Sequence, residues 1–136
     1  MAPDDPVKLA ILTITNSSPI ARRLSVFGYV EWCLGPPRSG ERRFVTTEVD
    51  SGSGAILARN AYNTEFRDRV AFFHATAQAR SYTCDRAEFV GRNRTASRPA
   101  GLLFDRLAGR SGAGLDPCGA LQLDVSIEPN GSHRVA

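Results

Sequence analysis

Lysine is almost missing from this chain: 17 residues are basic and 14 acidic, for a net charge of +3, and every basic residue but Lys8 is arginine. The arginines are interleaved with acids, as in Glu41-Arg42-Arg43, Arg67-Asp68-Arg69 and Asp85-Arg86. No unbroken cationic stripe is left for a phosphate backbone, so no nucleic acid is expected as a partner. The Arg-for-Lys bias fits a GC-rich bacterial genome better than an anion-binding role. Long hydrophobic runs are missing too, none nearing the roughly 18 apolar residues of a membrane span. The opening Met1 to Ala10 has neither the basic start nor the apolar stretch of a secretory leader. No direct membrane insertion is expected, and the chain taken alone reads as cytoplasmic. Cys33, Cys84 and Cys118 are odd in number and far apart, with no Cys-x-x-Cys and no Cys/His spacing. This excludes a disulfide framework and a zinc site and leaves reduced structural thiols. No metal and no cofactor is implied.

What is present is one domain's worth of ordinary globular sequence, 136 residues with 42% hydrophobic. A chain of this length buries roughly two-thirds of its unfolded surface. Its main periodic signal is strand-like alternation. Arg23 to Leu34 puts Leu24, Val26, Gly28, Val30, Trp32 and Leu34 on one face. Leu121 to Glu128 sets Leu121, Leu123, Val125 and Ile127 against a wet face of Gln122, Asp124, Ser126 and Glu128. Further strands are expected at Val7 to Thr15, Arg43 to Val49, Ala55 to Arg59 and Arg69 to Ala75. Turn chemistry separates them, at Asn16 to Pro19, at Gly35-Pro36-Pro37 with Ser39-Gly40, and at the hairpin Asp50 to Gly54. The pattern predicts an antiparallel sandwich in which Leu24, Val26, Val30, Trp32, Val70, Phe72, Leu121, Leu123, Val125 and Ile127 are buried. Between Ser81 and Ala120 the pattern breaks into an irregular insertion. A short helix is expected there, with Asp85 as its cap, Glu88 as capping-box partner and Gly91 as its stop. A second helix is expected within Ser97 to Leu107, and a Gly-rich loop from Arg110 to Gly119. After Pro129-Asn130-Gly131, a hairpin turn, Ser132 to Ala136 opens another strand and stops, which reads as part of a larger domain.

Catalytic chemistry is hard to find. Glu65/Asp68 and Asp85/Glu88 are the nearest carboxylate pairs, each three residues apart beside arginines, a spacing that serves ion pairs and caps. His74 and His133 are the only histidines; the first lies in an apolar run and reads as a packed strand residue, the second near the C-terminus. Neither makes a base for a Ser or Cys nucleophile, and no glycine loop carries the Lys-Ser/Thr of a phosphate cradle. What remains is loop surface rich in Arg, Asn and Tyr, at Asn60 to Asn63 and Gly91 to Arg94. Planar guanidinium and amide groups match vicinal hydroxyls and Tyr62 can stack on a pyranose, so carbohydrate is the favoured ligand; turn closure is the competing role.

The same segments carry a resemblance. Arg22 to Trp32, Ala58 to Phe66 with Arg69 to Phe72, Cys84 to Asn93, and Gly114 to Gln122 together resemble the N-terminal β-domain of glycosyltransferase family 36, also glycoside hydrolase family 94. That family holds inverting glycoside phosphorylases such as cellobiose phosphorylase; Trp32 and Gly91-Arg92-Asn93 are most similar to its cyclic β-1,2-glucan synthase branch. The resemblance implies an all-β, antiparallel β-supersandwich like that of galactose mutarotase, here a single partial domain spanning 1–136, with short helices in its loop insertion. It also implies that the general acid and phosphate-binding residues lie on an (α/α)6 barrel absent from this chain. The chain would then be a scaffold and sugar-contacting piece of a glucan-active transferase or phosphorylase, not catalytic alone. Its partners would be that barrel, a β-glucan or oligosaccharide and, in a homodimer, a second copy, with the parent attached to the inner membrane. Arg92, Asn93, Arg94, Tyr62 and Asn63 are the expected substrate contacts. A free-standing β-sandwich binding or interaction module is the alternative.

Overall fold

A computed structural model describes residues 5–35, 40–65 and 67–136. The turn expected at Pro36, Pro37 and Ser39, and Phe66 of the family-like segment, lie outside them. The described residues form β1 (Leu12–Thr15), β2 (Arg22–Glu31), β3 (Val45–Val49), β4 (Ile56–Asn60), β5 (Ala71–Phe73), β6 (Ser81–Asp85), α1 (Arg86–Phe89), β7 (Pro117–Ile127) and β8 (Ser132–Val135). Short 3-10 turns stand at Gly40–Phe44 and Ala100–Leu103. Every strand pairing is antiparallel, in sheets ordered β2-β7-β6, β3-β4-β5 and β1-β8. The all-β expectation holds.

Strand β7 is the axis. It pairs with β2 over the full length of that strand, from Arg22↔Ile127 to Glu31↔Cys118, and with β6 on its other side. Its first half is buried on both faces. One face carries Leu121 and, with Trp32, Val45, Ile56, Ala58 and Cys84, forms the core shared with β3-β4-β5. On the opposite face, Ala120 packs under Phe89, Val90 and Leu107 of the insertion, with Phe27 and Tyr29 of β2 beside them. The second half alternates, as its sequence predicts, and Leu123, Val125 and Ile127 meet Val135 of β8.

Burial on both faces explains several departures from the sequence reading. Gln122, expected in water, is 1% exposed because the insertion crosses it. Its Oε1 accepts from Ser81 Oγ, its Nε2 donates to Asp105 O at 3.0 Å, and Ser81 Oγ accepts from Leu107 N at 2.9 Å, so this buried network is satisfied. Strand β6 was not anticipated, since Ser81, Thr83 and Asp85 alternate with Tyr82 and Cys84 without an apolar face, yet its residues other than Tyr82 are all buried. Strand β5 keeps its place but not its phase: Ala71 and Phe73 turn inward, leaving Phe72 54% exposed, while Val70, before the strand, is 41% exposed. Leu24, at the uncovered end of β2, is exposed as well. His74 is not a packed strand residue; it is exposed, and its Nε2 donates to Ser53 O at 3.2 Å. The turn after β7 forms, with Asn130 at φ 54, but it delivers β8 to β1 and makes no hairpin with β7. The first strand is shorter than expected, and the second helix is reduced to the 3-10 turn at Ala100–Leu103.

Two outcomes are expected. Gly119 sits where the covers converge: a Cβ there would stand 3.0 Å from Val30 Cγ2, 3.1 Å from Trp32 Cζ2 and 3.2 Å from Phe73 Cδ1. Gly119→Val should therefore lose about 1–3 kcal/mol in urea unfolding, the usual cost of overpacking; an unchanged midpoint would show that the layers are loosely packed. All three thiols are free, with Cys33 exposed and the others buried. Burial raises both buried thiols, Cys118 up to about 12. Cys33 alone should react rapidly with a neutral-pH thiol reagent, and Cys84 and Cys118 only after unfolding.

Candidate functional site

The insertion, residues 86–116, is framed by ion pairs that begin where β6 ends. Asp85 is extended, at φ −108, and its Oδ1 accepts from Ala87 N at 3.0 Å, capping α1 as its sequence predicts. Its other oxygen takes Arg110 Nη1 at 2.8 Å, so a carboxylate only 8% exposed is paired. Glu88 does not complete a capping box. Thr83 Oγ1 donates to it at 2.6 Å and Ala108 N at 2.8 Å, which makes Glu88 a bolt from α1 to β6 and to the far limb of the insertion. Val90 O accepts from Ala100 N at 3.1 Å, so the loop between them is closed at its base. Gly91 turns the chain there at φ 88, and Gly101 lies so close to Phe89 that a Cβ would stand 2.5 Å from its ring.

Arg86 and Arg42 share two acids. Arg86 Nε donates to Glu31 Oε1 at 3.0 Å and its Nη1 lies 3.6 Å from Asp116 Oδ2; Arg42 reaches Glu31 at 3.1 Å and Asp116 at 3.4 Å. Tyr29 Oη also donates to Glu31, at 2.7 Å. That hydrogen bond, aided by the arginines, holds the Glu31 carboxyl below its usual range, while burial and the same bond raise the Tyr29 phenol. Glu31 is thereby held toward its charged form and Tyr29 toward its neutral one. They brace the insertion and offer no poised general acid or base.

The sequence-predicted contacts are otherwise placed. Arg92, Asn93 and Arg94 stand on the closed loop, all exposed, and among the described residues neither arginine has a carboxylate within 4.0 Å. Tyr62 and Asn63 follow β4 in the other sheet. The Tyr62 ring is 62% exposed and stacks on Phe44 at 4.2 Å, with Arg43 against the far ring at 4.9 Å. Asn63 Oδ1 accepts from Glu65 N at 3.1 Å, a turn-closing bond. The structure thus places the two sets on different layers. A concavity the sequence reading missed lies elsewhere, a groove of about 490 Å³ between the β3–β4 turn, residues 74–79, and Tyr82 with Leu121. Its only sequence signal is the Asp50 to Gly54 cluster, read there as a hairpin turn. Among the described residues, no group of acids, histidines and cysteines is arranged to hold a metal, and no helix is long and apolar enough to cross a membrane.

A layered antiparallel β domain, with a braced insertion and no catalytic constellation among its described residues, is the class that fold and site define. The profile of the Glycosyl hydrolase 94 supersandwich domain matches residues 1–136, and the chain belongs to that family. It is 37% identical over 131 residues to the cyclic beta-(1,2)-glucan synthase NdvB of Rhizobium meliloti (strain 1021), a match covering 96% of this chain and 5% of that protein. It is 28% identical over 129 residues to the N,N'-diacetylchitobiose phosphorylase of Vibrio furnissii, covering 90% of this chain and 16% of that one. The chain therefore spans a small part of either relative.

The Glu31 brace should read out in acid. Its carboxyl is lowered from 4.5, so the stability it contributes is complete above the unfolded value and is lost as pH falls through the lower folded one. Unfolding followed from neutral pH downward should show wild-type stability falling more steeply in this range than that of Glu31→Gln; parallel profiles would remove Glu31 from the brace.

Proposed function

We propose that the chain is a sugar-contacting scaffold within a longer glucan-active enzyme, a glycosyltransferase or inverting glycoside phosphorylase of the cyclic β-1,2-glucan synthase kind. The catalytic groups would be supplied by an (α/α)6 barrel elsewhere in that enzyme. Family membership and the likeness to a glucan synthase support this reading. The observation that carries it is local: Arg92 and Arg94, with Asn93 between them, are exposed together on a loop closed at its base, and among the described residues neither has a carboxylate within 4.0 Å. A structural arginine is already paired, and a ligand-binding one waits with its donors free. Arg92, Asn93 and Arg94 would contact hydroxyls of an acceptor sugar. Tyr62, with Asn63 beside it, would offer a ring to a second sugar or to the barrel or a second copy of the chain. The working compartment would be the cytoplasm, with the longer enzyme held at the inner membrane.

The purified chain should give no phosphorolysis of β-1,2-gluco-oligosaccharides and no transfer from glucose 1-phosphate; turnover would end the non-catalytic reading. In the longer enzyme, Arg92→Ala should lower kcat/KM for the acceptor by about 1–3 kcal/mol, the range for a charge-assisted hydrogen bond. Unchanged kinetics would take the loop out of the site.

A further inference from the structure

The groove beside the β3–β4 turn has a chemistry unlike that of the Arg92 loop. Among the described residues, no lysine or arginine lines it. Its one acid among the described residues, Asp50, gives one oxygen to its own turn: Oδ2 accepts from Ser53 N at 2.7 Å and from Ser53 Oγ, which holds the carboxyl below its usual range. His74 Nε2 donates to Ser53 O, and its Nδ1 makes no hydrogen bond among the described residues. The Ser51 hydroxyl, the Gln78 amide and the Tyr82 hydroxyl have no protein partner among the described residues. Tyr82 is half-buried, its ring packed on the core, opposite Leu121 across the β6–β7 ladder.

Among the described residues an anion finds no lysine or arginine here, and a cation finds a single carboxylate with one oxygen committed to its turn. A purely apolar ligand would strip water from Ser51, Gln78, Tyr82 and His74 without replacing it. Hydroxyl, amide and imidazole groups beside a phenol ring are complementary to uncharged alcohols on a compact ring. The volume, about 490 Å³, falls within the roughly 300–1,000 Å³ of small-molecule sites. We infer that this groove binds a short uncharged oligosaccharide, a second carbohydrate contact separate from the Arg92 loop. The choice of a glucan as its ligand rests on the function proposed above; the uncharged, hydroxyl-rich character does not.

The test is a titration of the 136-residue chain with a β-1,2-linked glucotriose, followed by amide proton–nitrogen NMR. Shifts are expected at Ser51, His74, Gln78 and Tyr82, with affinity weakened about fivefold or more by Gln78→Ala or Ser51→Ala, each an exposed side chain whose loss leaves the core intact. The double variant Arg92→Ala, Arg94→Ala should remove shifts at residues 92–94 and leave those at the groove, and a uronic-acid trisaccharide should bind the groove more weakly. Shifts confined to residues 92–94 and abolished by the double variant would overturn the groove and leave the loop standing. Shifts at the groove alone would leave the groove standing without the loop. Absence of shifts at the groove, groove shifts indifferent to both alanine variants, or equal binding of the uronic acid would each overturn the inference.

Discussion

The double burial of β7 is the constraint on which the other parts of this domain depend. A strand paired on both edges and covered on both faces has nowhere to place a large side chain where the covers converge, and Cys118, Gly119 and Ala120 stand there, all fully buried. Further along, where only one face is covered, buried Val125 and Ile127 alternate with exposed Asp124 and Ser126, and Leu121, Leu123, Val125 and Ile127 bring about 1.5–3 kcal/mol each of hydrophobic stabilisation. The size of a side chain along this strand thus reports how closely the neighbouring layers approach. Sandwich and insertion are packed against the same few residues, so neither can shift without the other.

The ion pairs around the insertion act differently. The side chains of Arg42, Arg86, Glu31 and Asp116 are 36–40% exposed, so each pair on its own contributes about 0–1 kcal/mol. Their effect is positional: two forks share two carboxylates from β2 and from the end of the insertion, and the paired geometry admits little sliding of one past the other. Asp85 and Glu88 repeat the arrangement with neutral partners added, through the backbone N–H groups of Ala87 and Ala108 and the hydroxyl of Thr83. An irregular segment with one turn of α-helix is in this way held to a sheet by polar contacts as well as by Phe89 and Leu107.

What could be read from the sequence follows from the same physics. Period-two alternation located β2 and the second half of β7, but only in β7 is one face dry and the other wet; in β2 Leu24 is exposed, Val26 and Val30 are half-buried, and Phe27 and Tyr29 of the opposite face pack under the insertion. The Asp50 to Gly54 turn correctly joined β3 to β4. The reading failed where both faces are covered: Gln122 looked like a solvent residue because its partners, Ser81 and Asp105, lie 41 and 17 positions away. It failed for Phe72 because a strand of three residues carries too little alternation to fix its phase. Asp85 was legible as a cap because capping is local, whereas the role of Glu88 was not, since Thr83 and Ala108 reach it through the fold. The groove was invisible for the same reason, its walls coming from a turn, a connecting segment and two paired strands.

Free and engaged polar groups, more than residue type, separate the places where this chain can meet a ligand from those where it cannot. Asp85-Arg86 looks like a site by composition, yet the Asp85 carboxylate is fully taken, by Ala87 and Arg110, and the Arg86 fork is shared between Glu31 and Asp116. Arg92 and Arg94, a few residues on, keep their donors, and the groove keeps uncharged donors and acceptors without any cation. On the function proposed above, two surfaces with different preferences, one suited to oxygen-rich groups that welcome a positive charge and one suited to neutral hydroxyls, would be met by separate units of one sugar polymer. The scaffold so proposed would then bear on which part of the polymer reaches the reacting centre of the longer enzyme, because binding energy realised at a distance decides which unit is held there.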